Sequence, residues 1–270
     1  MSAGPQTLTD RPKMQANTLP ASHGMSWIRQ GFDLWKKNPA LMTFLSFGYL
    51  LLVALISVVP LIGQPAATLM MPALSLGVLN GGRAIAHGQR GGPELILSGF
   101  RSNLPTLVTI GGIYLVGSLL ALFATALGDG GLLLELMTGK REVDASLAEQ
   151  PGFLAAVMIG TVASTPVMMA YWFAPMLAGW HGLSAPKAMV FSLIACARNW
   201  KPFLTYGIGL MMIAAVVPAL VIGVIGVFSP TLAALVSVPL PLIMVPIVFA
   251  TFYPNVRDIF GDDATPTADA

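Results

Sequence analysis

Four long stretches of this chain contain no Asp, Glu, Lys or Arg: residues 39–82, 102–128, 151–186 and 202–256. A helix crosses the roughly 30 Å hydrocarbon core of a bilayer in about 20 apolar residues. The four stretches therefore have room for six crossings, predicted at about 40–62, 66–86, 104–127, 152–178, 203–228 and 231–252. Strand-length alternation of the barrel type is absent. A helix also satisfies its own backbone N–H and C=O groups where no water reaches them. The pattern thus predicts an all-α fold, a polytopic transmembrane helical bundle. Gly63-Gln64-Pro65 is expected to turn the chain between the first two spans, and Ser229-Pro230 between the last two.

Shorter segments between the spans are amphipathic. Over 25–37, Trp27, Ile28, Gly31, Phe32, Leu34 and Trp35 share one helical face, with Arg29, Gln30, Asp33, Lys36 and Lys37 on the other. This predicts an interfacial helix with tryptophan at headgroup depth, with an amphipathic helix packed on protein as the alternative. A second interfacial segment is expected at 95–103. A third has Ser184 as N-cap and Pro186 in its first turn, where a missing N–H costs little. Each leads into a similar junction: Trp35-Lys36-Lys37-Asn38-Pro39, Phe100-Arg101-Ser102-Asn103-Leu104-Pro105 and Arg198-Asn199-Trp200-Lys201-Pro202. The second, fourth and sixth spans each hold a proline, at 72, 175 and 246. Together these echoes predict three weakly repeated two-helix hairpins, each preceded by a short interfacial helix. Residues 1–24 are polar without an apolar signal-peptide core and are expected to be a disordered cytoplasmic tail. Residues 25–260 form the membrane domain, and 261–270 an acidic cytoplasmic tail.

Composition agrees. The chain is 55% hydrophobic and 10% charged, against about 25% charged in soluble domains. Charge distribution adds an orientation. Arg11, Lys13, Arg29, Lys36, Lys37, Arg83, Arg90, Arg101, Lys187, Arg198, Lys201 and Arg257 fall on one side of the predicted spans, and only Lys140 and Arg141 on the other. The positive-inside rule then puts both termini in the cytoplasm and the acidic loop 128–150 outside. Cys196 is the single cysteine; it excludes an internal disulfide and reads as a packing residue.

Candidate chemistry is sparse. The span centres lack the ionisable residues that mark ion or proton paths. Prolines 60, 72, 166, 175, 218, 239, 241 and 246 read as packing kinks, with a site of broken helices as the alternative. His23, His87 and His181 lack metal-binding spacing, and His181 reads as an interfacial hydrogen-bonding residue rather than a base. There is no Gly-x-Ser-x-Gly elbow, and the Gly-Gly pairs at 81–82, 91–92 and 111–112 precede no phosphate-loop Lys. Gly77 and Gly81 read as a small-residue helix contact. No catalytic, cofactor-binding or metal residue is expected, no cofactor, and no nucleic-acid partner. The junctions are the candidate site. Lys36, Lys37, Asn38, Arg101, Asn103, Arg198, Asn199 and Lys201 offer amides and cations to an anionic phospholipid headgroup, each cation contributing about 1 kcal/mol near such a surface. The alternative for the asparagines is helix capping, or bonding of backbone freed by the next proline.

The motifs Trp172-Phe-Ala-Pro175, Gly179-Trp-His-Gly-Leu-Ser-Ala-Pro-Lys-Ala188, Cys196-Ala-Arg-Asn-Trp-Lys-Pro-Phe203 and Phe252-Tyr-Pro-Asn-Val-Arg-Asp-Ile-Phe260, with Trp27 and 35–39, carry a resemblance. Across 25–260 the chain resembles a family of bacterial six-span inner-membrane proteins with no assigned activity. The resemblance implies the fold and an inner-membrane location, and supplies no catalytic residue. The expected role is non-enzymatic: membrane organisation, lipid interaction, or assembly with a protein partner or further copies of the chain. A small-solute carrier or pore with a proline-broken site is the second reading, and an intramembrane enzyme using His181 the third.

Overall fold

The computed structural model describes residues 16–142, 147 and 150–261. Among the described residues every regular element is helical. Helix α1 (His23–Lys37) precedes a hairpin of α2 (Pro39–Ser57) and α3 (Gly63–Ala86). A 3₁₀ helix (Pro93–Arg101) precedes α4 (Leu104–Asp129), a short α5 (Leu132–Met137), α6 (Phe153–Trp172) and α7 (Ala174–His181). Helix α8 (Ala185–Arg198) leads into α9 (Trp200–Met211), which passes through a π-helical turn (Met212–Val216) into α10 (Val217–Phe228). The chain returns through α11 (Pro230–Ser237) and α12 (Pro239–Ala250) and ends in α13 (Phe252–Phe260). Three short helices thus precede three hairpins, as the repeated junctions predict.

Five helical stretches are long and apolar enough to cross a membrane: Pro39–Ser57, Leu104–Asp129, Phe153–His181, Trp200–Phe228 and Pro230–Phe260. Helix α3 has the length, 24 residues, and carries Gln64, Asn80 and Arg83 as well. Half of its residues are buried, so it is the inner helix of the molecule; Asn80 and Arg83 meet protein, and Gln64 is exposed at its first turn. Its N-terminus also differs from expectation. The turn occupies 58–62, with Leu61 at φ 66° and 98% exposed, and Gly63-Gln64-Pro65 open the helix instead. A proline fits that first turn because its missing N–H would be unpaired there anyway.

Close backbone approach builds the region around α3. A Cβ on Gly77 would overlap the Ile96 carbonyl, and one on Gly99 the Ala73 carbonyl, so the 3₁₀ helix lies directly on α3. Gly81 receives the Leu45 side chain from α2. The small-residue contact expected of Gly77 and Gly81 is therefore made, to two different elements. One core gathers Trp27, Leu107, Phe173, Leu177 and Ile259; the second gathers Met42, Leu45, Leu74 and Tyr253. The farther parts of the hairpins are different. Leu120, Phe123, Met158, Val162, Val221, Val224 and Leu235 are exposed large apolar side chains, which suits a lipid surround.

Two expectations are corrected at the amino-terminal side. Helix α1 is no free interfacial helix: Trp27 is 0% exposed, and α1 is wedged against α9, α12 and α13. Gly24 meets the Pro202 carbonyl and Gly31 meets Thr251. The Trp27 indole finds Asp258 as a partly buried acceptor at 3.1 Å, which lets the ring leave the headgroup region at no cost in hydrogen bonds. The outer side of α1 keeps its interfacial character, with Met25 and Phe32 exposed beside Arg29, Asp33 and Lys36. The Lys36 ammonium, hydrogen-bonded to Asp33 at 2.8 Å, holds that carboxyl below the usual carboxylate range.

Nor are residues 16–24 a disordered tail. Asn17 donates to the Ile259 carbonyl at 2.8 Å, Leu19 to Asn199 at 2.9 Å, and Thr205 donates to the Ala21 carbonyl. The polarity that reads as solvation in the sequence is consumed by hydrogen bonds to α8, α9 and α13. The remainder of both expected tails, 1–15 and 262–270, lies outside the described residues, as do 143–146 and 148–149 of the acidic loop.

Candidate functional site

Helices α2, α3, α4, α6, α7, α12 and α13 enclose a cavity of about 250 Å³. Its position follows from the prolines. Pro72 interrupts α3 beside the wall, Pro175 lies in the wall at the start of α7, and Pro246 sits one turn before Phe249, another wall residue. A proline cannot donate to the preceding turn, so α3 and α12 each lose a helical bond beside one space, where Pro175 opens α7.

The wall is aromatic and thioether-rich, with Tyr49, Tyr114 and Tyr171 beside Met71, Met168 and Met176. Tyr114 and Tyr171 stand with ring centroids 4.6 Å apart, and Tyr49 is 5.3 Å from Phe249. Tyr114 points its hydroxyl at the Met168 sulfur, 3.5 Å away, a weak acceptor. The Tyr171 hydroxyl is buried with no hydrogen bond among the described residues. Ser75, beside it, turns its own proton to the Pro72 carbonyl at 3.0 Å. No Asp, Glu, Lys, Arg or His lines the space. An apolar pocket with a few hydroxyl groups binds and orients apolar or amphipathic matter.

At the α6–α7 break the lost helical bond is replaced from outside. Ser192 of α8 accepts from the Phe173 N–H at 2.9 Å and donates to the Met169 carbonyl at 2.7 Å. A side chain inserted into the i to i−4 ladder produces a kink. It also occupies the Met169 carbonyl that the break frees. A second gap, about 490 Å³, separates α10 from α12 and is lined by Leu50, Pro218, Ile222, Leu240 and Pro241, with Ser237 as its polar side chain.

The eight junction residues do not form one site. Asn38 caps α2, accepting from Leu41 N–H at 3.1 Å, while Lys37 reaches the Ala86 carbonyl and Lys36 pairs with Asp33. Asn103 precedes α4 without a side-chain cap bond, and Arg101 is exposed. Arg198 and Lys201 are exposed, with Lys201 over the Trp200 ring at 5.7 Å. Asn199 is 0% exposed and bonded throughout to backbone, so it is removed from the candidate headgroup contacts. Both of its amide N–H groups are spent on the Asn17 and Ala195 carbonyls, which leaves no donor for a phosphate.

The histidines go to separate places. His23 lies 3.4 Å from Asp258 and His87 2.9 Å from the Tyr253 hydroxyl, while His181 closes α7. Among the described residues no group of three or more His, Cys, Asp or Glu is placed to hold a metal. Cys196 is buried, and burial pushes its thiol up to about 12. Sequence reasoning missed the tyrosine cavity, because Tyr49, Tyr114 and Tyr171 are distant in the chain and share no motif. It also missed Asp258, which gathers Trp27, His23 and Arg257.

Over 258 residues, 92% of this chain and 94% of the relative, the sequence is 35% identical to a protein described as a probable inner membrane protein of Burkholderia thailandensis. No protein-family model matches, and no solved structure matches.

Proposed function

The chain belongs to the family of that inner-membrane protein, and on this premise we propose that it is a non-catalytic lipid-binding protein of the bacterial inner membrane. It holds one apolar chain of a membrane lipid in the cavity between its hairpins. The observation that carries this is the cavity itself: aromatic and methionine walls, hydroxyls and one indole as the polar side-chain groups, and no charge to couple a gradient. A volume of about 250 Å³ lies below the range usual for whole drug-sized ligands, so it suits a chain segment with the rest of the lipid outside.

The topology belongs to the same proposal. Asn17 is hydrogen-bonded to Asp258 and Ile259, which keeps the two ends of the described chain on one side. That supports an even number of crossings, with α3 as the sixth span. The basic residues support the cytoplasm as that side.

Native mass spectrometry after purification in mild detergent tests the function. Wild-type protein is expected to retain lipid, and Ser75→Phe, which fills the cavity, to lose it, while Phe191→Ala on an exposed face of α8 changes nothing. Wild-type protein free of lipid would overturn the proposal. The carrier reading draws on the same proline breaks. It predicts gradient-driven uptake of a small solute into proteoliposomes, against which stands Ser192 filling the α6–α7 break.

A further inference from the structure

We infer that Arg83, with His181 and the Trp180 ring, binds the phosphate of an anionic phospholipid at the mouth of the cavity. The inference rests on the lipid reading above and names its ligand class.

Arg83 is half-buried near the end of α3, with its guanidinium 4.9 Å from the centre of the Trp180 ring. No carboxylate pairs with it among the described residues. Arg257 makes the contrast: also partly buried, it is held by Asp258 at 2.8 Å and by Gln30. Most other basic side chains are exposed to solvent or headgroups. A partly desolvated cation without a counter-ion is costly, and arginine matches phosphate oxygens with two parallel N–H donors.

Trp180 is held in place as the floor of the site. Its indole donates to Asn80 at 2.7 Å, and Asn80 donates to Ser98 of the 3₁₀ helix at 2.8 Å. The next residue, His181, has a buried Nε2 with no hydrogen-bond partner, and lies within electrostatic reach of Arg83. Buried polar atoms in native structures are nearly always bonded, so an orphan nitrogen within electrostatic reach of a guanidinium that no carboxylate neutralises suits an anionic ligand.

Helical spacing joins this pair to the cavity. On α3, Ser75, Leu76 and Leu79 line the cavity, and Arg83 follows on the same face. It stands four residues, about 6 Å, beyond Leu79. On α7, Met176 lines the cavity and Trp180 follows at i+4. A ligand with an apolar chain and an anionic end fits this sequence of surfaces in one direction only.

Free phosphate and a lipid phosphate share the chemistry, and the test separates them. Delipidated protein in mild detergent is incubated with phosphatidylglycerol, phosphatidylcholine or inorganic phosphate, and bound species are read by native mass spectrometry. Wild-type protein is expected to take phosphatidylglycerol in preference to phosphatidylcholine and to keep it in the presence of inorganic phosphate. Arg83→Gln should lower phosphatidylglycerol retention at least about tenfold, the equivalent of one charge-assisted hydrogen bond, and leave phosphatidylcholine unchanged. Arg83→Lys should restore part of the preference. Should Arg83→Gln fail to fold, His181→Phe is read instead, with a smaller loss in the same direction. An unchanged lipid preference in Arg83→Gln, or in His181→Phe where that is read, overturns the headgroup site and leaves the cavity reading standing. Complete displacement of phosphatidylglycerol by inorganic phosphate makes it a soluble-anion site and overturns the inference as well. Loss of every lipid from wild-type protein is the separate failure of the cavity reading.

Discussion

Asn199 makes three side-chain hydrogen bonds, all to backbone. Its carbonyl accepts from Leu19 N–H, and its amide donates to the Asn17 and Ala195 carbonyls at 2.8 and 2.9 Å. Asn199→Ala orphans the Leu19 N–H and the Asn17 carbonyl; Leu19 is half-buried and Asn17 exposed, so each costs less than the roughly 1–3 kcal/mol of a fully buried group. Its unfolding midpoint in mild detergent is expected to fall clearly, with anionic-lipid retention as in wild type. Cys196, three residues earlier, is set by burial in the same way. A folded-state thiol pushed up to about 12 stays protonated at pH 8, where an ordinary thiol ionises appreciably. Maleimide at pH 8 should therefore spare the folded protein and label it after denaturation. The sign for stability follows: the unfolded thiol ionises first, so its contribution is intact below about pH 8.5, the ordinary value, and is lost as pH rises toward 12.

At the scale of elements, the 3₁₀ helix and α1 are held by glycine contacts between backbones. Gly99 faces the Ala73 carbonyl, which cannot rotate away as a side chain would. Gly99→Val is expected to displace the 3₁₀ helix from α3 at a cost of about 1–3 kcal/mol or more, read as loss of monodisperse protein or a lower unfolding midpoint. Gly207 of α9 has nothing within 4 Å of its missing Cβ, and Gly207→Ala should be neutral or slightly stabilising. The contrast isolates packing from helix propensity, since both changes remove a glycine from a helix.

The whole molecule is a tightly packed end joined to looser apolar hairpins. The packed end contains α1, α3, the 3₁₀ helix, α7, α8 and α13, and both ends of the described chain. The expected orientation places it at the cytoplasmic face. In a Cys196→Ala background, Ser146→Cys should react with an impermeant thiol reagent in intact spheroplasts, and Ala264→Cys should not. Labelling at 264 instead would invert the protein.

The sequence alone determined the class, the length and approximate place of each hairpin, and the three junctions. These depend on hydropathy and on proline, which act locally: a 20-residue apolar run forms a helix in lipid whatever its neighbours are. Asn38 as a cap was legible for the same reason, since its partner is three residues away. Tertiary structure decided everything that depends on partners far along the chain. It moved Trp27 from the headgroups to Asp258, 231 residues away, and ordered residues 16–24 through bonds to Asn199 and Ile259. It made the least apolar long helix, α3, the inner one, and it collected three unrelated tyrosines into one cavity with Arg83 beyond its rim. Periodicity tells which face of a helix is apolar; only packing decides whether that face meets lipid or protein.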